Sequence, residues 1–215
     1  MTPSTTPDPR FRSNPFATRW TQPGACPFLF PDEMTIHQLA AQLQKQQGWG
    51  QIVGPHGSGK STLLAALIPE LEKPLSTVAY YRLHQGQKQL PVSFREPGLM
   101  SCNQVIVDGF EQLSRWTRYR LKQFCRRTNK GLLVTTHRPL GLPNLLPMQP
   151  NLLTAQRIVA YLQRHHDKVI SDEDVGHYYP HDSHNLRELL FTLYDLFEQR
   201  RLRSPRQEPC ASLPG

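Results

Sequence analysis

The sequence predicts an α/β fold: a mostly parallel sheet with helices on both faces, followed by a small region built only of helices. Three observations carry this expectation. Short apolar runs of strand length alternate with helix-period segments through the first two thirds of the chain, a pattern that implies parallel strands joined by crossover helices. A glycine-rich loop stands between the first apolar run and the helix after it. Beyond the last run, helical patterns alone continue to about residue 201.

Residues 1–25 are rich in Pro, Thr and Ser. Proline fixes φ and lacks a donor, so a flexible, extended lead-in is expected. Pro31 and Asp32 open an expected helix through residue 47, with Met34, Leu39, Ala40 and Leu43 as its apolar face and Asp32 as its cap. Trp49–Val53 reads as a strand, and residues 61–71 read as the helix after the loop, with Leu63, Leu64, Leu67, Ile68 and Leu71 as its apolar positions.

Residues 77–83 form a β-rich run, and a polar loop without period leads from it to a buried-strand pattern at 104–107 that ends at Asp108. Residues 111–128 read as a helix, and Gly131–Thr136 as another buried strand ending at His137. A proline-studded connection at 139–150 precedes helices expected near 154–166, 171–175 and 185–201. The chain thus divides into a flexible segment (1–25), an α/β core (26–150), a helical region (151–203) and a disordered tail (204–215). It carries no internal repeat.

Composition bounds the function classes. A length of 215 residues gives room for one mid-sized domain and a small appendage. The net charge of +8 favours polyanionic partners such as nucleotides, nucleic acid or anionic surfaces. Cys26, Cys102, Cys125 and Cys210 lie far apart with no His at metal-ligand spacing, so neither zinc nor a disulfide framework is expected. No stretch approaches about 18 uninterrupted apolar residues, and the N-terminus lacks a signal-peptide core. The expectation is a soluble, cytoplasmic protein with no membrane partner.

Gly54, Pro55, His56, Gly57, Ser58, Gly59, Lys60 and Ser61, followed by Thr62, spell the phosphate-loop pattern G-x-x-x-x-G-K-[ST]. Backbone N–H groups of such a loop converge on phosphate oxygens at the positive end of the following helix, and bulky side chains would block that approach. Lys60 is expected at the β- and γ-phosphates and the Ser61 hydroxyl on Mg²⁺, which makes ATP and Mg²⁺ the expected cofactors. The fold is then a P-loop three-layer sandwich. Asp108, at a strand tip, is the expected second metal ligand, its plain alternative being a turn residue beside Gly109. Glu111 reads equally as the base for an attacking water and as an acid favoured by a helix N-terminus.

With GPHGSGKS at 54–61, VIVDGFE at 105–111 and VTTHRP at 134–139, the chain resembles the AAA+ and AAA-like ATPases over roughly residues 48–201. The resemblance implies Mg²⁺-dependent ATP hydrolysis, with a polar strand-tip residue sensing the γ-phosphate. Thr136 fills that role, with Thr135 or His137 as substitutes. It also implies an arginine supplied by a helical lid. Arg187, in His184-Asn185-Leu186-Arg187-Glu188, matches that pattern except that His184 replaces a glycine.

Hydrolytic P-loop enzymes often carry Glu directly after the metal-binding Asp, where this chain has Gly109. That departure keeps open a non-hydrolysing nucleotide-binding module that docks on nucleic acid or a protein partner. A P-loop small-molecule kinase is a weaker alternative because no acceptor motif is present. No LSGGQ-like stretch precedes Asp108, which disfavours an ABC-type ATPase. Asn129-Lys130-Gly131 lacks the Asp of a guanine-reading N-K-x-D, which disfavours GTP.

In the segment 115–127, Arg115, Arg118, Lys122 and Arg126 recur at spacings of three and four, with Trp116 and Tyr119 beside them. Such a face binds nucleic acid through phosphates and stacking, reaches a neighbour's nucleotide in a homo-oligomer, or is simply solvated. His165, His166, His177, His181 and His184 fit no single metal site. Arg200, Arg201, Arg203 and Arg206 complement the C-terminal dipole of the last expected helix.

Overall fold

The computed structural model describes residues 14–30, 34–72, 76–180, 182 and 184–203. Its strands are β1 (Trp49–Val53), β2 (Val78–Arg82), β3 (Gln104–Asp108), β4 (Gly131–Thr136) and β5 (Asn144–Pro147). They form one sheet in the order β2-β3-β4-β1-β5 with every pairing parallel. The helices are α1 (Thr18–Thr21), α2 (Ile36–Lys45), α3 (Lys60–Leu71), α4 (Pro97–Ser101), α5 (Arg115–Arg127), α6 (Leu152–Leu162), α7 (Asp172–Tyr178) and α8 (Leu186–Arg203).

The central strands β3 and β4 are buried along their whole length, as near-continuous apolar runs require when helices cover both faces. On one face Leu39, Leu43, Leu63 and Leu67 of α2 and α3 pack on Ile52, Ile106 and Leu133. On the other, Leu99, Leu121 and Cys125 pack on Val105, Val107, Leu132 and Val134. Successive strand residues point to opposite faces. Asp108 therefore follows Ile106 to the α3 side, and Thr135 follows Leu133 to the same side, whereas Thr136 follows Val134 to the α5 side.

The last three helices enclose a separate core around Val159, Ile170, Val175, Leu189, Leu193 and Phe197. Side chains cap all three: Asn151 Oδ1 accepts from Thr154 N, Ser171 forms a reciprocal capping box with Asp174, and Asn185 Oδ1 accepts from Arg187 N.

Several elements depart from expectation. The helix expected from residue 31 begins at Ile36, because Thr35 Oγ1 accepts from Gln38 N while Gln38 Oε1 accepts from Thr35 N at 2.8 Å. The expected helix at 111–128 divides into a 3₁₀ turn, Phe110–Gln112, and α5, which Ser114 caps through Thr117 N. The connection at 139–150 contains β5. Pro143 and Pro147 are compatible with it because β5 is an edge strand.

The lead-in is anchored from Asn14 onward. Asn14 Nδ2 donates to Tyr194 O and Glu198 Oε1, and Phe16 lies buried and edge-on to Phe197. Residues 1–13 and 204–215, with Asp32, His181, Arg206 and Cys210, lie outside the described residues.

Candidate functional site

The glycine-rich loop leaves the end of β1 and enters α3. Gly57 (φ +69°) and Gly59 (φ +92°) adopt left-handed backbone conformations that side-chain-bearing residues rarely take. Gly59 precedes α3 without any side-chain cap on the helix, so the first N–H groups of α3 are left for an anion. Residues from His56 to Thr62 line a cleft of about 910 Å³ between the sheet and the terminal helices.

Lys60 is nearly buried, and its Nζ donates to Gly54 O at 2.8 Å and Pro55 O at 2.6 Å. Burial lowers its pKa; Glu111 and Asp108 oppose that, and the Arg187 charge adds to it. Gly54 and Pro55 thus hold the lysine through their carbonyls, and the loop residues that face the cleft begin at His56.

Asp108, at the tip of β3, collects hydroxyl groups. Ser61 Oγ donates to Oδ2 at 2.7 Å, and Thr135 Oγ1 donates to Oδ1 at 2.6 Å while accepting from Gly109 N at 2.8 Å. Tyr80 Oη lies 3.3 Å from Oδ2, and Arg82 Nε lies 3.4 Å from it. Burial, then the Asp108 charge, raises the Tyr80 pKa. Among the described residues no cluster of three His, Cys, Asp or Glu could hold a metal. One carboxylate and one hydroxyl suit Mg²⁺, which takes few protein ligands and completes its shell with phosphate oxygens and water.

Gly109 (φ +88°) bends the chain after β3, and the 3₁₀ turn that follows carries Glu111 back to the cleft. Glu111 Oε1 lies 2.8 Å from His137 Nε2, and Oε2 is buried without a hydrogen-bond partner among the described residues. Burial holds the His137 pKa below its ordinary value, although Glu111 pulls it upward. His137 Nδ1 lies 3.1 Å from Gly54 O and 3.5 Å from Lys60 Nζ, so the ring bridges the phosphate loop and Glu111. The His56 ring lies 3.7 Å from that of His137.

The terminal helices close the cleft from the other side. Asn185 Oδ1 accepts from Arg187 N at 3.1 Å at the start of α8. A side chain on Gly57 would collide with that same Asn185 oxygen and meet Arg187 Cβ, so the phosphate loop touches the lid directly. Arg187 lines the cleft.

Of the sequence-derived site residues, Lys60, Ser61, Thr62, Asp108, Glu111 and Arg187 come together, with the loop around them. Thr136 does not. Its hydroxyl donates to Arg138 O at 2.9 Å and lies on the α5 side of the sheet. The substitutes Thr135 and His137 face the cleft instead. Register decides it: Val107 pairs with Val134 across β3 and β4, so Thr135 is the residue abreast of Asp108. Sequence reasoning also passed over Tyr80, Arg82 and the role of His56, which carry no motif of their own. Phe28, ahead of α2, and Met148 after β5 wall the cleft as well.

A glycine loop that opens a helix after a parallel strand, faced by an acid from the next strand but one and covered by a helical lid, defines the P-loop class of α/β nucleotide-binding folds. A comparison of structures agrees: AMPPCP-bound DnaA from Aquifex aeolicus is similar with a TM-score of 0.56 and 16% sequence identity, covering 84% of this chain and 67% of that one. At that identity the likeness establishes the fold. No protein-family model and no curated protein matches the chain.

Proposed function

We propose that the chain binds ATP with Mg²⁺ between its α/β core and helical lid and hydrolyses it, acting as a small AAA-like ATPase or ATP-driven switch. The observation that carries this reading is the convergence on one cleft of Lys60, the Ser61 and Asp108 pair, and Glu111 with a buried, unpartnered oxygen.

In this reading Lys60 exchanges its bonds to Gly54 O and Pro55 O for phosphate oxygens, and the uncapped start of α3 receives the same group. Ser61 and Asp108 hold Mg²⁺, which neutralises phosphate charge. Thr135 keeps Asp108 oriented. Glu111 Oε2 accepts the proton of a water, and His137 fixes the other carboxylate oxygen. Arg187 contacts the outermost phosphate from the lid, so its loss on hydrolysis loosens the lid. Thr135 and His137 take the sensing role first given to Thr136. Free thiols at Cys26, Cys102 and Cys125 support a cytoplasmic setting, and no described helix is long and apolar enough to cross a membrane.

A second reading, a nucleotide-binding module that does not hydrolyse, is favoured by the bond between His137 and Glu111, which occupies one oxygen of the only acid near the candidate water site apart from Asp108 among the described residues. Phosphate release from ATP and Mg²⁺ by the purified chain and by Lys60→Ala separates the two. Release by the parent, with ATP affinity about 10- to 100-fold weaker in the variant, is the expected result. ATP binding without phosphate release makes the non-hydrolysing module the better account. Unchanged affinity in Lys60→Ala removes the site.

A further inference from the structure

We propose that the outward face of α5 is a platform for single-stranded nucleic acid. The 13-residue helix carries six Arg or Lys residues and no acid. Trp116 and Tyr119 are 66% and 55% exposed and stack on each other, with ring centroids 5.9 Å apart and planes 23° apart. Two large aromatic rings held this far into water have no part in the core, since Leu121 and Cys125 already bury the opposite side of the helix.

Helical geometry orders the exposed residues. At about 100° per residue, Arg115 and Arg126 form one edge of an arc of roughly 140°, Tyr119 and Trp116 its middle, and Arg127 and Arg120 the other edge. All six are exposed. The stripe expected from spacing alone was different. Lys122 Nζ is bound to Leu140 O, and Arg118 Nε is buried, so neither belongs to the outward face. Arg120 and Arg126 rest against the rings of Phe94 and Trp49, which leaves their guanidinium groups seated at the surface.

Aromatic rings flanked on both sides by cations match one ligand chemistry, a polyanion whose repeating unit also has a π-face. Guanidinium groups take the phosphates, and the rings take unstacked bases. A duplex keeps its base faces stacked inside and presents phosphates alone, so the rings select the single strand. No residue of α5 lines the nucleotide cleft, and the platform is independent of the ATP reading.

The test is fluorescence anisotropy of the full chain with a labelled oligothymidylate and with a duplex of equal length, without ATP, for the parent, Trp116→Ala/Tyr119→Ala and Arg120→Ala/Arg127→Ala. The expected result is preference for the single strand, at least about 10-fold weaker binding by the aromatic variant, and a salt dependence lowered by about one to two counterions in the arginine variant. Both variants change exposed positions, and circular dichroism confirms that they fold. Absence of oligothymidylate binding at low salt overturns the proposal, as does unchanged affinity in the aromatic variant. Equal binding of the duplex does so too, and so does displacement by polyglutamate as effective as by oligothymidylate, which would mark an acidic-protein site. Failure of ATP binding in the same preparation leaves the platform standing and removes the cleft alone.

Discussion

Ser61 Oγ lies 2.7 Å from Asp108 Oδ2 and joins the first turn of α3 to the tip of β3 across 47 positions of sequence. Replacing Asp108 with Asn keeps one acceptor oxygen, enough for either Ser61 or Thr135 but not both, and removes the charge a divalent cation needs. In a titration of a fluorescent ATP analogue, the parent is expected to bind about 10-fold tighter or better in Mg²⁺ than in EDTA, near 1.4 kcal/mol, and Asp108→Asn to show no such gain. A variant that keeps the full Mg²⁺ effect would show that Asp108 is no metal ligand.

The contact of His137 Nε2 with Glu111 Oε1 at 2.8 Å makes two separable predictions. Glu111→Gln is expected to slow phosphate release by about 100-fold or more with little change in ATP affinity. His137 is neutral near pH 7, because burial lowers its pKa below the ordinary value near 6.5. Acidification protonates it, and the imidazolium then ties the Glu111 carboxylate more firmly. The parent rate is therefore expected to fall only as pH drops below that lowered pKa, at a pH under about 6.5, and His137→Ala to lose the part of this acid limb that His137 causes. An identical pH profile in His137→Ala would take His137 out of the mechanism. Lys60, His56, Asp108 and Arg187 face the same cleft, and Lys60 and His56 touch His137 itself, so His137→Gln, which keeps a polar side chain there, is compared alongside.

The parts legible in sequence were those whose signal is local. The strands β1, β3 and β4 stood out because strands covered on both faces are apolar throughout, and the phosphate loop because its glycines and lysine are fixed by backbone geometry. Thr135 rather than Thr136 faces the cleft, and spacing did not show it, because which face a residue takes depends on register against β3, a non-local property. β5 was hidden because an edge strand tolerates the prolines that otherwise signal a loop. The start of α2 was misplaced because Thr35 with Gln38 out-competes an upstream acid as a cap. Glu111 could not be assigned from spacing, since its place in the cleft depends on the left-handed Gly109.

Gly57 and Asn185 fix where the lid meets the loop. A Gly57→Ala side chain collides with Asn185 Oδ1 and forces a non-glycine residue to φ +69°, costing about 1–2 kcal/mol in backbone strain. Asn185→Ala, which removes only the hydrogen bonds to Arg187 N and Glu188 N, is expected to cost about 1 kcal/mol. Hydrogen exchange should then show faster opening of the first turn of α8 in both variants, with the larger effect in Gly57→Ala. Equal protection in Gly57→Ala and parent would mean that loop and lid are not in contact in solution.

Asp174 and Arg200 clamp α7 to α8 through two parallel bonds, Nη1 to Oδ2 and Nη2 to Oδ1, each 2.6 Å. The guanidinium first, then the Ser171 N–H and hydroxyl, hold the Asp174 carboxyl down at about 2, below its ordinary 3.8, against the opposing effect of burial. A carboxyl whose pKa is lowered by folding adds stability that is fully present above its unfolded value and is lost as pH falls toward the folded one. The pair is part-exposed on the Arg200 side, so solvent screening limits it to about 1 kcal/mol. Arg200→Ala is expected to lower the denaturation midpoint at pH 7, and the gap to parent should narrow between about pH 4 and pH 2. It should not vanish, because the bond from Arg200 Nη1 to Val169 O at 2.8 Å does not titrate with Asp174. Asp174→Asn supplies the control, since it has no carboxyl to titrate and its deficit relative to parent should shrink over the same window. A parent-to-variant gap that is level from neutral pH down to about 2 would show that the Asp174–Arg200 ion pair contributes no stability.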